Sequence, residues 1–293
     1  RPAGSAFLQL FAETLRRLSP DVVLTYGGYW AALPAVKIAK KFGAASVFYL
    51  CNFAYNRRDL FAEFDRIVVP SEFAKSFYRQ KLDVATDVIP PLIDDSKFRV
   101  AENSRRFLTF VNPSPEKGRY FFVGIARELE RRFPEIPILV VESRSKITSF
   151  ATSPEARTLA NLYALQQVDD PREFYRQTRI LLAPSLWNES FGRVAVEAGL
   201  NGIPVVCSNR GALPEVVEGW GLALDVPKCY TPTTRTIPTP NEIAPWVDAI
   251  ATLWNDDAYA QEIARVAVER LERYAFQNVA AQTAALFNDI ASQ

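Results

Sequence analysis

The sequence predicts an α/β protein of two domains, each a doubly wound parallel sheet covered by helices on both faces. Short apolar runs alternate with amphipathic ones along almost the whole chain, the pattern of buried strands joined by crossover helices. The alternation breaks once, from Pro90-Pro91 through Ile93-Asp94 to Phe98, and restarts at Phe107. A length of 293 residues suits two domains.

Taken in order, Phe7, Leu8, Leu10, Phe11, Leu15 and Leu18 recur at helical spacing until Ser19-Pro20 closes the run. Asp21 introduces a strand, Val22 to Tyr26, that ends in Gly27-Gly28. A helix is expected from about Tyr29 to Phe42, with Pro34 either in its first turn or at a kink. Ser46 to Leu50 and Arg66 to Val69 read as strands, Ser71 caps a helix from Glu72 to Lys81, and Thr86 to Ile89 is a strand. After the break come a strand from Phe107 to Val111, a helix from Gly118 to about Arg132 and a strand from Pro137 to Glu142. A helix is expected from Pro154 to Tyr163, a short one from Pro171 to Gln177, and a strand from Arg179 to Ala183. Ile203 to Cys207 and Gly221 to Leu224 are later strands, and Thr231 to Pro240, rich in Thr and Pro, is a surface excursion. Three helical pieces close the chain: Asn241 to Trp254, Asp257 to Arg273, and Phe276 onward.

Composition narrows the chemistry. Hydrophobic residues make up 48% and charged residues 23%, ordinary for a chain with a full core. The net charge of +1 carries no footprint for nucleic acid. No apolar run approaches the roughly 20 residues that span a bilayer. Three cysteines far apart make no disulfide framework, so a reducing, cytoplasmic setting is expected. The chain has no histidine, which excludes a Ser-His-Asp triad, a Cys-His pair and a His-ligated zinc. The acidic pairs Asp94-Asp95, Asp169-Asp170 and Asp256-Asp257 show no converging ligand pattern and read as caps and turns. Neither a metal nor a cofactor is expected.

The densest chemistry lies between Ala183 and Ala198. A buried strand stops at Pro184, and a helix from Val194 to Leu200 follows the turn Ser190-Phe191-Gly192. Glu189 then sits on the loop and Glu197 inside the helix. Backbone N–H groups near Phe191, Gly192 and Arg193 point out of the helix start, an end with about half a positive charge that can hold a phosphate. Two carboxylates flanking an anion hole suit a ligand with phosphate in its middle and hydroxyls at both ends, such as a nucleotide-sugar. Lys117-Gly118 places an ammonium at another strand–loop–helix junction.

Glu189 and Glu197, separated by seven residues with Glu-Ser-Phe-Gly opening the interval, resemble the E-x7-E signature of retaining glycosyltransferases of family 4. Val68-Val69-Pro70-Ser71-Glu72-Phe73, Val88 to Asp94 with Phe98, and Gly211 to Val217 resemble further landmarks of that family in the same order. The resemblance implies the GT-B architecture, two Rossmann-like doubly wound domains. The chain enters partway through the first, so a partial acceptor-side domain over residues 1–98 is expected. A nucleotide-sugar donor domain over 99–275 and a C-terminal helix over 276–293 returning to the first domain follow. It implies transfer of a sugar, with retention, to a glycan, lipid or small-molecule acceptor. Glu189 would lie against the sugar hydroxyls, Glu197 would bind the ribose, and Lys117 would bind the diphosphate with Gly118 and the backbone of Ser190, Phe191, Gly192 and Arg193. Arg144 and Val168 fall where such domains line the nucleobase pocket.

Two positions depart from the family pattern. Asn112 stands where an Arg-x4-Lys-Gly motif has its arginine, leaving the diphosphate to Lys117 and the helix end unless Arg119 or Arg144 reaches in. Cys51, before Asn52, stands where a histidine is frequent, and a small buried structural thiol is the role expected of it. Together with Gly27 and Gly28, Cys51 and Asn52 mark the acceptor side. These departures keep two other readings open: a non-catalytic or truncated nucleotide-sugar-binding protein, and a nucleotide-sugar epimerase on the same fold. Oligomeric state stays open, as does peripheral membrane contact through the amphipathic first helix.

Overall fold

The computed structural model describes residues 2–27, 30–151 and 153–292. The chain divides into two compact units, residues 1–92 with 276–293, and residues 93–275.

In the first unit, helix α1 (Pro2–Leu18) leads into β1 (Val22–Tyr26), α2 (Ala32–Lys41), β2 (Ala45–Tyr49), β3 (Arg66–Val69), α3 (Glu72–Leu82) and β4 (Asp87–Val88). The four strands form one parallel sheet in the order β1-β2-β3-β4. Alternation along the strands sorts the two faces. Phe48, Ile67 and Val69 pack with Ala74 and Tyr78 of α3, while Val47 and Val68 pack against Ile290. Pro34 is the third residue of α2, inside the first turn, where its missing N–H costs nothing. Ser71 caps α3, its hydroxyl accepting from the Ala74 N–H at 3.1 Å.

The second unit runs β5 (Phe107–Val111), α4 (Arg119–Arg132), β6 (Ile138–Val141), α5 (Ile147–Ala151), β7 (Leu162–Leu165), α6 (Arg172–Tyr175), β8 (Thr178–Ala183), α7 (Arg193–Leu200), β9 (Val205–Ser208), α8 (Leu213–Val217), β10 (Leu222–Leu224), α9 (Pro240–Asn255) and α10 (Asp257–Leu271). The last helix, α11 (Phe276–Ala291), belongs to the first unit and supplies Ile290. The six strands are parallel in the order β10-β9-β8-β5-β6-β7. Leu108, Phe110, Ile180 and Leu182 face α4 and α9, and Leu181, Ala183, Val205 and Cys207 face α7 and α8. Strand order reverses between β5 and β8. In an open parallel sheet that reversal opens a crevice at the carboxyl ends, because the helices leaving the two strands go to opposite faces.

The structure differs from the sequence reading in four places. The helix expected over Pro154–Tyr163 is absent: residues 153–158 form turns that bury Ala156 and Leu159, and Leu162–Leu165 pairs with β6 as the edge strand β7. Helices α5 and α8 are present where none was expected. Gly118 is not the first helical residue of α4 but its cap, in the left-handed conformation. The unit boundary follows Leu92 rather than Phe98, because Ile93 and Phe98 are 1% exposed in the second unit's core. Gly28 and Tyr29 lie outside the described residues.

Phe98→Ala should therefore destabilise the unit of residues 93–275 by about 3–5 kcal/mol, the usual cost of emptying an aromatic site. Denaturant unfolding followed by fluorescence, with Trp187, Trp220, Trp246 and Trp254 reporting on this unit, checks this. A loss below about 1 kcal/mol would put Phe98 in a linker.

Candidate functional site

The loops that leave β5 and β8 meet at the reversal point. Leu186 N–H donates to the Glu116 carbonyl at 2.9 Å, and Trp187 N–H to the same oxygen at 3.3 Å. Gly118 lies so close to the Pro184 carbonyl that a Cβ there would overlap it. The backbone contact carries Lys117 to Glu189, and Lys117 Nζ donates to Glu189 Oε1 at 2.6 Å. Ser185 Oγ donates to the same oxygen at 2.6 Å. The ammonium also stands 5.0 Å from the centre of the Trp187 ring, in cation–π range.

Glu189 is held from a third direction. Its backbone bridges to Gly211, and its carbonyl accepts from the Ala212 N–H at 2.8 Å. Gly211, at φ +67°, has no room for a Cβ against the Glu189 backbone. The loop ends at Gly192, which caps α7 at φ +96° without any side-chain cap bond. Gly118 caps α4 in the same left-handed way, also without a side-chain bond. Helix starts lacking a side-chain cap leave first-turn N–H groups for another acceptor.

Glu197 sits on α7. Arg193 Nε donates to its Oε1 at 2.6 Å, and Tyr175 Oη donates to its Oε2 at 2.7 Å. Glu189 and Glu197 are only 8% and 9% exposed. Each charge, costly to bury alone, is met by one cation and one hydroxyl. Burial first, then the charge of Glu197, lifts the Tyr175 hydroxyl well above the ordinary tyrosine range. Burial, then the charge of Glu189, likewise pushes the Cys207 thiol up.

The structure brings Lys117 to Glu189 and Gly118 to Pro184, and pairs Arg193 with Glu197; Ser190, Phe191 and Gly192 form the loop that joins the two glutamates. Asn112 does not fill the arginine's place by charge or by reach: it adopts φ +63°, and its Oδ1 accepts from the Ser145 N–H at 3.0 Å. Asparagine tolerates that backbone better than arginine would. Arg119 does not reach in either. It pairs with Glu155 at 2.8 Å, mostly buried and with its guanidinium 5.2 Å from the Phe150 ring. Arg144 is exposed after β6, and Val168 packs half-buried on the core beside α6. In the first unit, Gly27, Cys51 and Asn52 follow the carboxyl ends of β1 and β2. Cys51 is half-buried rather than buried, and the Asn52 carbonyl accepts from Tyr78 Oη at 2.6 Å. Gly28 lies outside the described residues.

Sequence reasoning assigned no role to Ser185, Trp187, Tyr175, Glu116 or Gly211. Ser185 and Trp187 lie inside the stretch singled out, but nothing in their spacing shows which groups they meet. Local turns account for Asp170 and Asp256, whereas Asp257 pairs with Arg179, 78 residues away in sequence, at 2.6 Å. Asp170 Oδ1 accepts from the Arg172 N–H at 3.0 Å, and Asp256 Oδ1 from the Tyr259 N–H at 2.9 Å.

Comparison with known proteins decides the family. Residues 93–270 match the model of glycosyl transferases group 1. The chain belongs to that family. It is 38% identical over 212 residues to D-inositol 3-phosphate glycosyltransferase of Corynebacterium glutamicum (strain R), an alignment covering 65% of this chain and 47% of that protein. Among solved structures, the glycosyltransferase of Rickettsia africae ESF-5 superposes with a TM-score of 0.77 over 97% of this chain and 80% of its own, at 16% identity. Anabaena Alr3699/HepE in complex with UDP and glucose gives 0.74 over 98% and 81%, at 18% identity. These likenesses show the fold of the group 1 chain, the GT-B architecture of two Rossmann-like domains. The chain spans about half the length of the curated relatives it matches. No helix among the described residues is long and apolar enough to cross a membrane.

Gly211→Ala should cost more than Gly202→Ala in thermal or denaturant unfolding. Both glycines are left-handed, but a Cβ at 202 would meet only the Ala264 methyl at 3.6 Å. Gly202→Ala should lose about 1–2 kcal/mol from backbone strain alone. Equal losses would mean that the Glu189 backbone moves aside freely.

Proposed function

We propose that this chain carries the donor site of a glycosyltransferase that moves a sugar from a nucleotide-diphosphate donor, with retention and without a metal. The observation that carries the reading is the 2.6 Å pairing of Lys117 Nζ with Glu189 Oε1 beside the uncapped start of α7. A diphosphate entering there displaces the carboxylate from the ammonium and takes the first-turn N–H groups around Gly192. Charge developing on the leaving phosphate is then met by donors already in position, as in an oxyanion hole. Glu189, still held by Ser185, is released to accept from the donor-sugar hydroxyls, and Glu197 accepts from the ribose. The acceptor oxygen forms its bond to the anomeric carbon on the face that the diphosphate leaves. The anomeric C–O bond breaks with its electron pair on the phosphate, and a phosphate oxygen takes the acceptor's proton. No histidine is needed.

The relatives' names support the class: a glycosyltransferase acting on D-inositol 3-phosphate, and a fold neighbour holding UDP and glucose. Asn112 favours one second reading, a donor-binding protein without turnover, since it replaces an arginine expected at the diphosphate.

Calorimetry with uridine, guanosine and adenosine diphosphates tests the site. Lys117→Ala should weaken the nucleotide that binds by at least about tenfold, the worth of a charge-assisted hydrogen bond. Arg119→Ala should leave its affinity within about twofold, because that guanidinium is committed to Glu155. The reverse ranking would overturn the assignment. Binding without transfer or donor hydrolysis would select the second reading.

A further inference from the structure

We propose that Tyr175 is the positioning residue that makes this site select ribonucleotides. Its hydroxyl would hold Glu197 Oε2 so that the carboxylate is aimed to accept from the ribose hydroxyls. The inference rests on the reading of Glu197 as the ribose-binding group.

The two partners of Glu197 are unlike. Arg193 belongs to the same helix, four residues back, and its side chain is 63% exposed. Such a pair is weak and mobile, since solvent screens it and a long side chain must be held still. Tyr175 is fully buried at the end of α6, wedged between Phe174 and Phe98 with ring centroids 4.2 and 6.3 Å away. It has one hydroxyl and a rigid ring, and its hydrogen bond to Glu197 Oε2 measures 2.7 Å. Phenol and carboxylate form a short, charge-assisted bond between two buried residues. α7 itself is pinned below: the Asn201 amide donates to the Glu197 carbonyl at 2.9 Å, and its side-chain oxygen accepts from the Val100 N–H at 2.9 Å.

The rigid donor therefore comes from the core and the mobile one from the surface. A ligand hydroxyl approaching from solvent competes with Arg193 and leaves the Tyr175 bond in place. Without the phenol, Oε2 loses its buried donor and the carboxylate can turn toward Arg193 and water. Recognition of a hydroxyl by a carboxylate depends on that orientation, since a misaligned acceptor gains little over solvent.

The readout is the ratio of dissociation constants for a 2′,3′-dideoxynucleoside diphosphate and its ribose parent. It is measured by calorimetry on the 293-residue chain, with the uridine, guanosine and adenosine pairs run in parallel. Wild type should prefer the ribose form by roughly tenfold or more in the pair that binds. Glu197→Gln and Tyr175→Phe should each remove most of that preference, and the double variant should lose no more than Glu197→Gln alone. Loss in Glu197→Gln with an unchanged ratio in Tyr175→Phe would overturn the role of Tyr175 while leaving the ribose reading standing. An unchanged ratio in Glu197→Gln, or no binding of any ribonucleotide to wild type, would overturn the reading beneath it. Should Tyr175→Phe not fold, the Tyr175 hydroxyl proton carries the test by NMR. It is identified by its upfield shift in Glu197→Gln, where a neutral amide oxygen replaces the carboxylate as acceptor. Persistence in the nucleotide complex supports the proposal, and its loss on binding overturns it.

Discussion

Everything specific about this molecule depends on two loops being locked at the one place where a parallel sheet reverses. The hydrogen bonds from Leu186 and Trp187 to the Glu116 carbonyl, and the close approach of Gly118 to Pro184, are backbone contacts. They put Lys117 beside Glu189 whatever else binds. An ammonium and a carboxylate at 2.6 Å, both mostly buried, form a pair that neither group leaves without another partner. For the proposed donor site this pair would be the resting state, each group staying satisfied until a ligand offered its replacement.

The same economy governs the second glutamate. Both carboxylates combine one cation with one hydroxyl, yet the donors come from different distances along the chain. Ser185 and Arg193 are four residues from their glutamates, while Lys117 and Tyr175 arrive from separate elements. Local partners set the rotamer of each side chain. Distant partners report that the sheet has been assembled in register. The acid groups are oriented only in the folded protein, which is where they are of use.

This division explains what could be read from the sequence. Buried strands such as Phe107–Val111 and Ile138–Val141 announce themselves as apolar runs, so the two parallel sheets were legible. Leu162–Leu165 did not, because its short Leu-Tyr-Ala-Leu run continues the stretch that reads as a helix from Pro154 to Tyr163. The stretch before it looks helical by composition but closes into turns around Ala156 and Leu159. Family membership was legible from the glutamate spacing and its flanking residues. The partners Tyr175 and Trp187 were not, since a contact between residues on different elements has no period to detect. Asn112 shows the opposite failure. Its identity marked a departure, but its work as a left-handed turn residue accepting from Ser145 appears only in three dimensions.

The helix Phe276–Ala291 belongs to the unit formed by residues 1–92, although the whole of residues 93–275 intervenes. During synthesis Val47 and Val68 on the sheet of β1 to β4 therefore gain Ile290 as a partner only after all of residues 93–275 have been made. Residues 93–275, by contrast, close their core within one continuous stretch and need no later segment to finish it.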